Sequence, residues 1–203
     1  MSHATLEISP KRQSVIDAAA RLFKTHGYGQ VSMEAVARDA GVSKATLYAY
    51  FASKDQLFAS IIGGACGRIA FEDGVFEAAP EDLRATMIVI GGKLLRFLLN
   101  PDTQALQRVV IAESARFPEL GAAFLRAGPE LFLTRLGDWL AIQARDGRLR
   151  VADARLAADQ FGALLRPLIF LRAILMVPPA PDDAEIDATV TAAVDTFLRA
   201  YAA

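Results

Sequence analysis

The chain has 203 residues, 53% hydrophobic and 22% charged, enough to bury a sizeable core and to form one small head and one larger body. Its net charge of −1 hides an asymmetry: residues 1 to 60 hold 7 Lys+Arg against 5 Asp+Glu, a net +2, and residues 61 to 203 hold 15 against 18, a net −3. No apolar leader is visible in MSHATLEISPKR and no segment reaches the roughly 20 apolar residues of a membrane span, so a soluble, cytoplasmic protein is expected. The lone cysteine, Cys66, excludes an internal disulfide and a multi-cysteine metal site, and its setting Gly63-Gly64-Ala65-Cys66-Gly67 reads as a small-residue packing face rather than a redox sensor.

The first expected helix, about 10 to 26, carries Val15, Ala19, Leu22, Phe23 and His26 on one side and stops at Gly27, after which Tyr28 packs or points toward a partner. His26 at a helix end reads as a dipole partner rather than a ligand of anything. Ser32 can cap a second helix whose apolar residues Met33, Val36, Ala37 and Ala40 recur at i, i+3, i+4 and i+7. Gly41 ends it, and Ser43 caps a third helix that buries Leu47 and Phe51 while Lys44, Ala45, Thr46 and Tyr48 face outward. Ser53, with Gln56 three residues on, matches a capping box.

Helix, tight turn and helix in this order describe a helix-turn-helix, whose second helix enters the major groove. Lys44 supplies charge, Ala45 permits close approach, Thr46 offers a hydroxyl and a methyl, and Tyr48 and Tyr50 can reach phosphate oxygens. Lys54, at the start of the next helix beside unpaired backbone N–H groups, favours an anion. The expected DNA-contacting set is Ser32, Ser43, Lys44, Ala45, Thr46, Tyr48, Tyr50 and Lys54.

These segments, VIDAAARLFKTHGY at 15 to 28 and SMEAVARDAGVSKATLYAYFASKDQLF at 32 to 58, resemble the TetR family of bacterial transcriptional regulators. VVIAESARFPELGAAFLRAGPE at 109 to 130 resembles the ligand-binding half of its AefR-like branch. Where many relatives have a histidine, tyrosine or arginine after the first recognition-helix tyrosine, this chain has Ala49, so operator sequence does not carry over. The resemblance implies an all-α fold, with a three-helix DNA-binding head over 9–69 and an effector-binding, dimerising helical body over 70–203. It also implies a homodimer that binds a palindromic double-stranded operator, formed through the last two long helices, 153 to 176 and 183 to 202, with Leu164, Leu168, Val190, Val194, Phe197 and Tyr201 at the interface.

Further helices are expected at about 54 to 77, 81 to 99, 101 to 116, 118 to 127 and 129 to 146, punctuated by Asn100-Pro101, Gly128-Pro129 and Gly147. The last helix carries a regular stripe, Ile186, Val190, Val194, Phe197 and Tyr201, which suits burial within one subunit as well as an intersubunit bundle. Aromatic and apolar residues of the body exceed what a thin core requires, and Gly91-Gly92 in mid-helix suggests close helix approach or room for a ligand. The candidate pocket is Met87, Gly91, Phe97, Glu113, Phe117, Phe124, Trp139 and Phe161, suited to an unidentified apolar or amphipathic effector whose binding shifts the helices at 54 to 77 and 101 to 116. No paired-His spacing, nucleophile elbow or phosphate-cradling loop is present, so no catalytic residue, metal or cofactor is expected. A DNA-binding repressor released by its effector is the expected function; a helical binding or scaffold protein without a DNA role is the alternative, and an enzyme the third class.

Overall fold

Among the described residues, four helices start on proline, whose missing N–H costs nothing in a first turn, and six others follow a serine or aspartate whose side-chain oxygen accepts a backbone N–H. The structure is a computed structural model that describes residues 9–71, 76 and 82–203; the side chains of residues 66–71, Cys66 among them, lie outside the description. The elements are α1 (Pro10–Gln30), α2 (Met33–Asp39), α3 (Lys44–Tyr50), α4 (Lys54–Phe71), α5 (Leu83–Leu99) and α6 (Pro101–Glu113), followed by α7 (Pro118–Ala127), α8 (Pro129–Arg145), α9 (Ala154–Leu164), α10 (Leu168–Ile174) and α11 (Asp183–Tyr201). Among the described residues, β pairing is confined to one antiparallel bridge, Leu149 with Ala202. The fold is all-α.

Two boundaries depart from expectation. The helix expected over 153 to 176 is broken into α9 and α10, because Pro167 has no N–H to donate and disfavours helical backbone in the residue before it. At the end of the first helix, Gly27 sits at φ 76°, so the chain turns there and a further short helical stretch carries Tyr28. The end of the helix expected at 72 to 77 lies outside the described residues, apart from Phe76.

The described residues form two compact units. One takes those up to Gly64 together with Arg108–Ala127; the other takes those from Ala65 to Gln107 and Gly128–Ala203. The division cuts α4 after Gly64 and α6 after Gln107, whereas the sequence alone suggests one boundary near residue 69.

The core of the second unit gathers α5, α8, α9 and α11 around Met87, Leu95, Leu136, Trp139 and Phe161. The α11 stripe joins it: Ile186, Val190, Val194 and Phe197 are buried, and Phe197 meets Phe161 edge-on at 5.3 Å between centroids. Val190, Val194 and Phe197, expected at a subunit interface, are therefore enclosed within their own chain. A period of 3.6 residues says which side of a helix is apolar but not which helix covers it.

The expected pocket residues are divided between the two units. Met87, Trp139 and Phe161 are core residues of the second unit, and Phe97 is half-buried on α5. Glu113, Phe117 and Phe124 belong to the first unit, with the head. Gly91 is a close-approach glycine: a Cβ there would lie 3.2 Å from Val190 and 3.3 Å from both Leu165 and Phe161. At Gly92 a Cβ would meet only the Arg96 guanidinium, at 3.1 Å, the far end of an exposed side chain whose surface ion pairs with Asp187 (2.7 Å) and Asp183 (3.3 Å) contribute little and can shift by a few tenths of an ångström. Gly92→Ala is expected to raise stability by about 0.5–1 kcal/mol through helix propensity. Gly91→Leu is expected to abolish the cooperative thermal transition, because overfilling a closed core forces its neighbours apart. Thermal melts of both variants check the pair, and equal effects would contradict this account of α5.

Candidate nucleic-acid interface

The head is built on short-range signals. Val15, Ala18, Ala19 and Phe23 of α1, Met33, Val36 and Ala37 of α2, and Leu47 and Phe51 of α3 are all buried, each set at helical spacing. Ser32 Oγ accepts the Ala35 N–H at 3.1 Å and Ser43 Oγ accepts that of Thr46 at 3.1 Å, fixing the entries of α2 and α3. Gly41, at φ 67°, makes the turn between them. Before α4, the Gln56 side chain accepts the Ala52 N–H while Ser53 Oγ accepts the Gln56 N–H, closing a reciprocal cap.

With Leu47 and Phe51 inside, α3 turns Lys44, Ala45, Tyr48 and Ala49 to solvent and leaves Thr46 and Tyr50 half-buried. Lys44 Nζ pairs with Glu34 Oε1 at 2.5 Å and lies 5.8 Å from the Tyr48 ring centre. The hydrogen bond from Lys44 holds the Glu34 carboxyl below its usual range, and Glu34 in turn raises the lysine's. Both groups are largely exposed, so the pair is worth little to stability but is placed to compete with phosphate.

Two residues expected to reach phosphate are directed elsewhere. Tyr50 Oη shares a hydrogen bond with Ser9 Oγ at 3.2 Å. Lys54 turns inward: Nζ donates to the carbonyls of Tyr28 (2.7 Å) and Val31 (2.9 Å) and sits 4.2 Å from the Tyr28 ring centre. Both carbonyls lie where α1 ends, the Tyr28 oxygen receiving only a long bond from the Val31 N–H at 3.4 Å, and a cationic donor suits them better than solvent does. Burial lowers the Lys54 pKa, against the opposing pull of Glu113 and Glu119.

Tyr28 itself packs. Its ring lies 5.4 Å from Phe23, 5.9 Å from Phe58 and 5.4 Å from Phe117, and burial, reinforced by Asp55, Glu119 and Glu113, raises its phenol pKa. Beside it, Glu113 at the end of α6 accepts the Gly29 N–H through Oε2 at 2.7 Å. The approach needs both glycines: a Cβ would fall 2.4 Å from the carboxylate at Gly27 and 2.8 Å from it at Gly29. Sequence reasoning assigned no role to Glu34, the partner of Lys44, and expected Glu113 in the effector pocket, not against Gly29. Neither has a local signal, since each meets a partner on another element.

Among the described residues no group of His, Cys, Asp and Glu could hold a metal, and no helix is long and apolar enough to cross a membrane. A charged, methyl-bearing second helix presented on a capped three-helix head defines a DNA-binding regulator. The model for bacterial regulatory proteins of the TetR family matches residues 15–61, and that for the C-terminal domain of AefR-like transcriptional repressors matches 85–203. The chain belongs to the TetR family of transcriptional regulators. It is 28% identical over 151 residues to the HTH-type transcriptional regulator BetI of Rhizobium meliloti, covering 72% of this chain and 73% of that one. Among solved structures it is similar to a TetR-family regulator from Mesorhizobium loti (TM-score 0.81, 25% identity, 97% and 99% of the two chains). It is also similar to the flavonoid-responsive regulator FrrA (TM-score 0.75, 33% identity, 95% and 97%).

Proposed function

We propose that the protein is a homodimeric repressor that holds a palindromic operator through α3 of each subunit and releases it when a small amphipathic aromatic effector enters the second unit. The exposed face of α3, with Lys44 at its head, is the observation that carries the DNA-binding part. Family membership supports it. In cells such a regulator works in the cytoplasm, where its operator is.

A second copy of this chain is the partner that suits α9 and α11. With Val194 and Phe197 turned inward, the opposite side of these helices offers a shallow groove of about 430 Å³ where Gln160, Ala163, Leu164, Thr196, Ala200 and Tyr201 are exposed or half-exposed. Leu156 and Leu168 are exposed at 51% and 71%, more apolar surface than a monomer needs to show. Small side chains at Ala163, Thr196 and Ala200 permit close approach of a symmetric pair.

For the effector, the second unit holds Trp139 Nε1 and the side-chain oxygens of Gln104 and Gln107, buried and without hydrogen-bond partners among the described residues. Each such atom costs about 1–3 kcal/mol that a ligand with matching groups recovers. An apolar ligand would leave that cost in place, so hydroxylated aromatics are favoured, and the flavonoid response of the similar regulator points the same way. A thermal-shift screen of flavonoids should raise the melting temperature, and the stabilising compounds should release operator DNA. Stabilisation by aliphatic compounds alone would overturn the effector class.

The Lys44–Glu34 pair gives a test of the DNA-binding face. Glu34→Gln frees the ammonium and removes a negative charge, so operator affinity should rise at low salt and the gain should fade as salt increases. Lys44→Ala should weaken binding and flatten the slope of log K against log salt by about one unit. Fluorescence anisotropy at several salt concentrations reads both, and unchanged affinity in both variants would remove α3 from the interface.

A further inference from the structure

Recognition by α3 is short of hydrogen-bonding groups. Between Ser43 and Tyr50 the sequence has no Arg, Asn, Gln, Asp or Glu, the side chains that read guanine, adenine and cytosine edges by hydrogen bonding. Those polar groups it does have are mostly engaged inside the head. Ser43 Oγ and Thr46 Oγ1 share a hydrogen bond at 2.8 Å, and Ser43 also caps the helix. Tyr50 Oη is held by Ser9 and the Lys44 ammonium by Glu34. Beside the exposed Lys44, what the helix presents outward, at i, i+3 and i+4, is the Ala45 methyl, the Tyr48 ring and the Ala49 methyl.

We infer that this protein recognises its operator chiefly through the C5 methyl groups of thymines in the major groove, packed against Ala45, Ala49 and the ring of Tyr48, with Lys44 serving the phosphate backbone. The inference rests on the reading of α3 as the groove helix. Thymine alone among the four bases offers an apolar group on its major-groove edge, and alanine is among the side chains short enough to meet it without holding the helix away. Ala49 then has a positive role: a longer polar residue there would cover the thymine-facing surface beside Tyr48. Lys44 is the one cation of α3, the side-chain type that most often reads guanine, and it is paired with Glu34 and lies 5.8 Å from the Tyr48 ring centre.

The test starts with the full-length protein and a library of random-sequence duplexes, from which bound sequences are selected. Each thymine of the selected site is then replaced singly by deoxyuridine, which keeps every hydrogen-bonding group and removes only the methyl. Burying one methyl corresponds to about fourfold in affinity, so at least one thymine per half-site should show a loss of that size, and a symmetric pair about fifteenfold. Ala45→Ser or Ala49→Ser should blunt the sensitivity at one position and leave the others intact. A selected site indifferent to deoxyuridine throughout, or one whose preference is for guanines and vanishes in Lys44→Ala, overturns the inference while leaving α3 as the groove helix. Failure to enrich any sequence overturns the DNA-binding reading itself, and this inference with it.

Discussion

Val194→Asp is expected to destroy the native fold, not merely to separate subunits. Val194 is fully buried within the hydrophobic cluster that α5, α9 and α11 share. An uncompensated buried charge costs about 3–5 kcal/mol or more, a large share of the about 5–15 kcal/mol that holds a typical domain together. Circular dichroism should show loss of the cooperative melt. Ala163→Glu is the informative contrast, because Ala163 is exposed in the single chain. That change should leave helix content and melting of the chain within about 0.5 kcal/mol of the parent, yet place like charges across a two-fold interface. Light scattering should then report a folded monomer, and operator affinity should collapse because the second half-site is lost. A folded dimer of Ala163→Glu would move the interface away from the α9–α11 groove, and a well-folded Val194→Asp would contradict the packing of α11.

The second large effect is expected at Glu113. Its carboxylate accepts the Gly29 N–H in a part-buried, charge-assisted hydrogen bond, of a kind worth about 1.5–3 kcal/mol. Glu113→Ala should destabilise the first unit by that amount and speed exchange of the Gly29 amide, and Glu113→Gln, which keeps an acceptor oxygen of the same reach, should restore much of the protection. Gly27→Val should be at least as damaging. Its Cβ would lie 2.4 Å from the same carboxylate, and valine rarely adopts φ 76°. Hydrogen exchange at Gly29 that is indifferent to Glu113→Ala would show that this contact does not hold the turn.

What the sequence made legible was whatever is decided within one or two helical turns. Ser32 and Ser43 announce α2 and α3 because a cap is a local hydrogen bond, and Leu47 with Phe51 announces the buried side of α3 because helical spacing is local too. The break at Pro167 was also within reach: a proline fourteen residues into an expected helix is itself a boundary signal, and the apolar run on either side masked it. Partner choice was not legible. The α11 stripe fits either an intramolecular or an intersubunit neighbour, and only the three-dimensional course of α5 and α9 decides between them. Lys54 illustrates the same limit at a single side chain. A lysine at a helix start is written identically whether it faces phosphate or, as here, the carbonyls of Tyr28 and Val31. Glu113 and Phe117 looked like residues of the body because of where they stand in the chain, whereas the Gly27-Tyr28-Gly29 turn that receives them lies more than eighty residues earlier.

Because the unit that carries α3 also includes Arg108–Ala127, its final assembly is tied to the timing of synthesis. The helix-turn-helix has been translated by Gly64, but the strip bearing Phe117 and Glu113 ends 63 residues later, at Ala127. At about 5–20 residues per second this is a delay of roughly 3–13 s, during which the nascent head leaves the ribosome with the aromatic wall of Tyr28 and Phe58 still uncapped. A ribosome stalled before codon 113 would therefore display a head that chaperones can still engage, and one stalled far enough past codon 127 for the strip to clear the exit tunnel would not.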